Sequence, residues 1–199
     1  MAQLSQHKTT KKIGVLNLQG AVSEHLNALN HLVNVQAIAV KDAAQLANLA
    51  GLVIPGGEST AISRLIKQNN LAPAIKQMAQ QGKGIFGTCA GLVLCGSSTP
   101  EHEVEQLQLI DISVERNGFG RQINSFETAL DISAIGKQIP AIFIRAPYII
   151  QAGDQVKQLA FIDNHGVMAQ QANVLVCSFH PELTPDNRII QYFVDCCCG

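Results

Sequence analysis

No tryptophan occurs among the 199 residues, and aromatic side chains make up only 5% of them. A surface that stacks nucleobases needs such rings, so the composition argues against a single-strand binding platform. Charge is also scarce: Asp, Glu, Lys and Arg together form 15% of the chain and nearly cancel, leaving a net charge of −1. Without a basic excess, no nucleic-acid partner is expected. No apolar run approaches the ~18 residues a membrane span needs, so no membrane partner is expected either. Residues 1–12 are polar and lack the apolar segment of a secretory signal. They are expected to form a mobile tail on a cytoplasmic protein, with residues 13–199 as one domain of ordinary size.

What is present is a 47% hydrophobic fraction arranged in short runs. Ile13–Leu18, Val35–Val40, Gly51–Ile54 and the run into Cys89 read as buried strands. Between them, Ser23–Leu32, Ala43–Ala50, a segment through Ile62, Leu65 and Ile66, and Ala72–Gln81 read as helices. Strands alternating with helices predict a parallel sheet. After the helix that follows Cys89 the pattern changes. Leu109–Glu115, Thr128–Ile132, Ala141–Arg145, Val156–Ile162, Gly166–Gln171 and Val174–Phe179 read as strands with little helix between them, and Asn187–Cys196 reads as a closing helix. The expected fold class is α/β: an open mixed sheet, its parallel core flanked by helices, with an antiparallel extension. Residues 97–106 read as a polar loop.

Six cysteines are spread over the chain: Cys89, Cys95, Cys177, Cys196, Cys197 and Cys198. In a reducing compartment they should be thiols. Cys95 and Cys177 lie in apolar context and read as core. Three adjacent cysteines have no zinc-ligand spacing. The end of the chain also lacks the aliphatic pattern of a prenylation signal. No metal-ligand set stands out, and no cofactor is expected.

Cys89 sits in Gly87-Thr88-Cys89-Ala90-Gly91, with an apolar run entering and a helix-compatible run leaving. This is the G-x-S-x-G nucleophile elbow with sulfur in place of oxygen. A nucleophile on a sharp strand-to-helix turn occupies a strained backbone, and the positions two before and two after must be small. The N-terminus of the following helix favours thiolate over thiol. Taken alone, the motif is equally compatible with a buried structural cysteine.

Two more pieces fall at strand ends, where reacting groups of open α/β sheets gather. Pro55-Gly56-Gly57-Glu58-Ser59 presents paired glycines whose backbone N–H groups could face an oxyanion, or could simply make a turn. Ser178-Phe179-His180-Pro181-Glu182 follows the last strand. There Glu182 can reach back to one imidazole nitrogen of His180 and leave the other for a thiol. A surface His beside a surface Glu is the alternative. His7, His25, His31, His102 and His165 have no such setting and read as solvated or structural. Together the three pieces make a Cys89-His180-Glu182 triad, with Gly57 and Ala90 supplying oxyanion N–H groups.

Gly-Thr-Cys-Ala-Gly with a distant His-Pro-Glu resembles the class I glutamine amidotransferases, whose fold is flavodoxin-like. Within them, the chain is similar to the glutaminase subunits of pyridoxal 5′-phosphate synthases. That resemblance runs from Ile13 to about Val194. It rests on Leu18-Gln19-Gly20-Ala21 with Glu24-His25, on Ile54–Thr60, on Glu115–Gln122, on Phe143-Ile144-Arg145-Ala146-Pro147 and on Cys177–Leu183. It implies hydrolysis of L-glutamine to glutamate and ammonia. The ammonia would be delivered to a (β/α)₈-barrel synthase subunit, within a large hetero-oligomer, for pyridoxal 5′-phosphate (vitamin B6) biosynthesis. It further implies that Gly57, Glu58, Ser59, Arg116, Ile144 and Arg145 hold glutamine. Without the resemblance, surface salt bridging would account for Arg116 and Arg145. Gly118 departs from the Ala or Ser common in the family, a mild loosening of its loop. A glutaminase serving another synthase, a non-catalytic relative and a cysteine peptidase are the competing readings.

Overall fold

The computed structural model describes residues 10–99, 104–116, 118 and 125–199. The first half alternates β1 (Lys11–Leu16), α1 (Val22–Asn30), β2 (Val35–Val40), β3 (Gly51–Ile54), α2 (Ser59–Gln68), α3 (Ala72–Gln80), β4 (Gly84–Thr88) and α4 (Ala90–Cys95). The second half runs β5 (Ile112–Glu115), β6 (Ser125–Ile132), β7 (Gly136–Ile144), β8 (Tyr148–Ala152), β9 (Lys157–Ile162), β10 (His165–Gln171), β11 (Val174–Cys177) and α5 (Arg188–Cys196).

The main sheet has the order β2-β1-β3-β4-β11-β10-β8-β5, with β9 also paired to β10. From β2 to β11 every pairing is parallel; beyond β11 every pairing is antiparallel. The expected parallel core with an antiparallel extension is what forms. In β3, β4 and β11 every residue is buried, because these central strands are covered on both faces. Along β3, Leu52 and Ile54 pack into one core and Val53 into the other; along β11, Val174 and Val176 face one side, Leu175 and Cys177 the other. One core collects α1 and α5 through Leu29, Ile189, Ile190 and Phe193. The other collects α2, α3 and α4 through Ile62, Ile66, Ile75, Met78 and Leu92. No helix among the described residues is long and apolar enough to cross a membrane.

The structure departs from the expected elements in several places. β1 begins at Lys11, so the last residues of the expected tail are strand; residues 1–9 lie outside the described ones. The side chain of Lys11 donates to the carbonyls of Val194 and Cys198, tying the strand to the C-terminus. The helix expected over 43–50 is a single 3₁₀ turn, Ala43–Leu46, closed by a reciprocal Asp42–Gln45 cap. β5 starts late because the Leu109 and Ile110 N–H groups are taken by the Cys95 carbonyl at the end of α4. β6 and β7 do not extend the main sheet. They form their own hairpin, seated by stacking of Phe126 on Phe143 and contact of Phe143 with Phe179. β8 was not expected: only Ile149 is buried along it, so it carries no clear alternation.

The cysteine-rich end, for which the sequence offered no account, is packing. Cys197 and Cys198 are buried against β3 and β4. A Cβ on Gly51 or Gly84 would lie 2.5 or 2.6 Å from the Cys198 sulfur, so both glycines leave room for it.

Candidate active site

β4 delivers Cys89 to the head of α4 with φ 48° and ψ −102°, a left-handed, strained backbone for a non-glycine residue. The flanking glycines are required for two different reasons. A Cβ on Gly87 would lie 2.5 Å from the Gly91 carbonyl oxygen, a collision across the turn. A Cβ on Gly91 would lie 2.1 Å from the Ile54 carbonyl oxygen, so that position is small because of the neighbouring strand. The Cys89 side chain is largely covered, and its sulfur lies 3.9 Å from the Ile144 carbonyl oxygen.

His180 and Glu182 meet as expected, though by a different local route. β11 ends at Cys177, and Pro181–Leu183 form a 3₁₀ turn that curls Glu182 back under the imidazole. His180 Nδ1 is 2.7 Å from Glu182 Oε1. A carboxylate oxygen accepts, so Nδ1 carries the hydrogen and Nε2 is left for another partner. The His180 N–H donates to the Ile142 carbonyl at 2.9 Å, fixing the turn to the hairpin. Burial alone would push the His180 pKa down, but hydrogen bonds with Cys89 and Glu182 and their charges outweigh it, raising it to about 10. Glu182 is almost fully buried. Burial pushes its pKa up, yet the facing imidazoles of His25 and His180 hold it below the usual carboxylate range. Burial raises the Cys95 thiol to about 12 and the Cys177 thiol well above its ordinary value, which keeps both protonated and inert.

The Gly-Gly strand end lies against this pair. A Cβ on Gly56 would fall 2.5 Å from His180 Cε1 and 3.3 Å from the Cys89 Cβ. The Gly56 carbonyl accepts from the Ala21 N–H at 3.0 Å. In a trans peptide the Gly57 N–H therefore points the opposite way, away from that turn. Gln19 Oε1 accepts from the Glu58 N–H at 2.9 Å and occupies the space a Gly57 Cβ would need. Ala90 heads α4, so its N–H has no acceptor within the helix.

Gly57, Glu58, Ser59, Cys89, Ala90, Arg116, Ile144, Arg145 and His180 all line one cavity of about 490 Å³. That is ample for an amino acid. Glu58 caps α2, accepting from the Thr60 and Ala61 N–H groups at 3.0 and 2.7 Å, and lies 3.7 Å from the Arg116 guanidinium. Those N–H groups outweigh burial and, with Arg116, lower the Glu58 pKa. Arg145 follows β7 with φ 43°, is exposed, and has no partner among the described residues. Arg116 also lies 3.4 Å from Thr60 Oγ1. Asn117 and residues 119–122, the rest of that sequence motif, lie outside the described residues. Gly118 is no loosening: a Cβ there would lie 2.1 Å from the Tyr148 ring.

Sequence reasoning missed His25 and Thr88. His25, on the buried side of α1, has its Nε2 3.0 Å from Thr88 Oγ1 and 3.4 Å from Glu182 Oε2. Thr88 Oγ1 in turn accepts from the Gly56 N–H at 3.0 Å. Burial lowers the His25 pKa, against the opposing pull of Glu182. The signals available were the place of Glu24-His25 in the family pattern and the periodicity that puts His25 with Ala28 and Leu29 on the inward face of the helix.

Comparison with known proteins shows the family and the fold. The model of the SNO glutamine amidotransferase family matches residues 15–198. The pyridoxal 5′-phosphate synthase subunit PdxT of Pasteurella multocida is 50% identical over 186 residues, 93% of this chain and 96% of its own length. The protein of the same name from Geobacillus thermodenitrificans is 49% identical over 184 residues, 92% of this chain and 94% of its own length. A crystal structure of a glutamine amidotransferase superposes with a TM-score of 0.88 at 37% identity, covering 93% of this chain and 98% of that one.

Proposed function

The chain belongs to the SNO glutamine amidotransferase family of glutamine-hydrolysing enzymes, and from that premise we propose that Cys89, His180 and Glu182 carry the hydrolysis. The product ammonia passes to a (β/α)₈-barrel pyridoxal 5′-phosphate synthase subunit, within a large hetero-oligomer, for vitamin B6 biosynthesis. The partner follows from the names of the relatives, which are synthase subunits. Residues 13–199, with Lys11 and Lys12 added to β1, act as one glutaminase domain. A cytoplasmic location belongs to the same proposal.

The observation that carries the site assignment is the His180–Glu182 pair at 2.7 Å, set beside a strained Cys89 at the floor of the cavity. Glu182 fixes the imidazole tautomer, so Nε2 faces the sulfur and takes its proton. The thiolate attacks the side-chain amide carbon of glutamine. The oxygen of that amide becomes an oxyanion, which the Gly57 and Ala90 N–H groups receive. His180 returns the proton to the leaving nitrogen, and ammonia departs from a glutamyl thioester on Cys89. Water, deprotonated by His180, cleaves the thioester, and glutamate and the thiol are restored. At the rim, Arg116 and Arg145 suit the α-carboxylate of the substrate and Glu58 its α-ammonium; Ser59 and Ile144 complete the wall.

The test is ammonia release from glutamine, measured with and without the matching synthase subunit, for wild type and Cys89→Ala. The reading expects release that depends on Cys89; turnover retained by Cys89→Ala would remove Cys89 from the role.

A further inference from the structure

Glu182 uses one carboxylate oxygen on His180. The other, Oε2, is buried with no hydrogen bond among the described residues. A buried carboxylate oxygen left bare is costly, since the charge it shares cannot be solvated. The polar group facing it is His25 Nε2, at an ion-pair distance of 3.4 Å.

The protonation of that nitrogen follows from its neighbours. Nε2 lies between Thr88 Oγ1 at 3.0 Å and Glu182 Oε2 at 3.4 Å. If Nε2 were bare, the Thr88 hydroxyl would donate to it, and its lone pair would also face the carboxylate across a dry gap. If Nε2 carries the hydrogen, it donates to Thr88 Oγ1 and turns the positive end of the N–H toward the nearby Glu182 Oε2. The buried anion decides between them, because a lone pair against a carboxylate is repulsive and Glu182 Oε2 has no hydrogen-bond donor among the described residues to offset it. His25 is almost completely buried and its pKa is lowered, so it meets the carboxylate as a neutral dipole.

We propose that His25 is a positioning residue of the hydrolytic site, its Nε2–H holding the second oxygen of Glu182 and, through Thr88, the Gly56 end of the oxyanion loop. The inference rests on the reading that Cys89, His180 and Glu182 perform the hydrolysis. The relay then runs Cys89, His180, Glu182, His25, with Thr88 as the branch that accepts the Gly56 N–H. One helix residue thereby sets both halves of the chemistry. It fixes the orientation of the carboxylate that steers the base, and it fixes the loop whose next N–H receives the oxyanion. A packing role alone would require only the volume of the ring.

Three substitutions separate those roles in the full chain bound to its synthase subunit. His25→Leu keeps volume and removes the donor. His25→Gln places an amide N–H near the former Nε2. His25→Asn keeps an amide but falls short of Glu182. Losing the one dipole that faces the bare carboxylate oxygen predicts a kcat about tenfold lower for His25→Leu and His25→Asn, with the glutamine KM unchanged. His25→Gln should recover most of the loss. The rate of Cys89 alkylation by iodoacetamide, measured on the same proteins, should fall and recover in parallel. Should His25→Leu not fold, the Asn and Gln pair carries the comparison. Wild-type kcat in folded His25→Leu or His25→Asn, or equal loss in Asn and Gln, overturns the inference. Cys89→Ala runs alongside: if it retains turnover, the underlying site reading fails, whereas a silent Cys89→Ala with a fully active His25→Asn removes only His25.

Discussion

Gly56→Ala should slow hydrolysis through a single clash. The added carbon would sit 2.5 Å from His180 Cε1 and 3.1 Å from Nδ1. Carbon atoms pack at about 3.5–4.0 Å, so the ring must retreat by roughly 1 Å. It cannot do so freely. Its Nδ1 is held by Glu182 at 2.7 Å, its backbone by Ile142 at 2.9 Å, and the ring itself is buried. The retreat either stretches the Glu182 bond or moves Nε2 off the sulfur. A displacement of that size costs about 10²-fold in rate. Gly56 has no left-handed φ, so the backbone adds no strain of its own, and overpacking should cost only about 1–3 kcal/mol of stability. The assay is ammonia release with the synthase subunit present, with thermal unfolding measured in parallel. A folded Gly56→Ala enzyme with wild-type kcat would refute the claim that the imidazole position limits the reaction. Gly91→Ala makes a useful contrast: its Cβ would strike a backbone carbonyl at 2.1 Å, and that variant should fail to fold normally.

Glu182→Gln should move the alkaline limb of the pH–rate profile downward. His180 is raised from 6.5 to about 10, with Glu182 among the causes, and it must hold a proton to release ammonia. The wild-type limb is therefore expected near pH 10, and a limb that stays put in the variant contradicts the assignment. The same raised pKa makes its stabilisation of the fold complete below 6.5 and lost as pH rises through about 10; chemical denaturation across that range checks the sign. Arg145→Ala should raise the glutamine KM by roughly three- to tenfold with kcat little changed, as expected for a charged binding contact at an exposed rim. An unchanged KM would instead favour a role for Arg145 at a subunit interface.

The parallel half of the fold was legible because buried strands and amphipathic helices leave different periods. Val35–Val40 and Gly51–Ile54 have the bounds the sequence suggested. The antiparallel half was less so. A period of two marks β6 and β7 as strands but does not say which edge they join, and the aromatic contacts that seat the hairpin link residues far apart in the chain. β8 escaped because Ile150 faces outward, half exposed, beside Ile149 facing in. In the site, the candidate residues with local motifs around them line one cavity, except Glu182, which sits behind His180. His25 was not found, because its partner Glu182 lies on a distant turn, and neither the Glu24-His25 pair nor its inward place on the helix names that partner. The reason for Gly91 was also hidden, since its obstacle is the Ile54 carbonyl on the adjacent strand.

The central claim is that glutamine is opened on the Cys89 sulfur. The most direct measurement is to mix the complex with glutamine isotopically labelled in its carbon chain, quench in acid during turnover, digest, and locate the label. The account predicts label on the peptide carrying Cys89, none on those carrying Cys95, Cys177 or the C-terminal cysteines, and none at all in Cys89→Ala. Steady ammonia release with no label on Cys89, or with label on another cysteine, would contradict it.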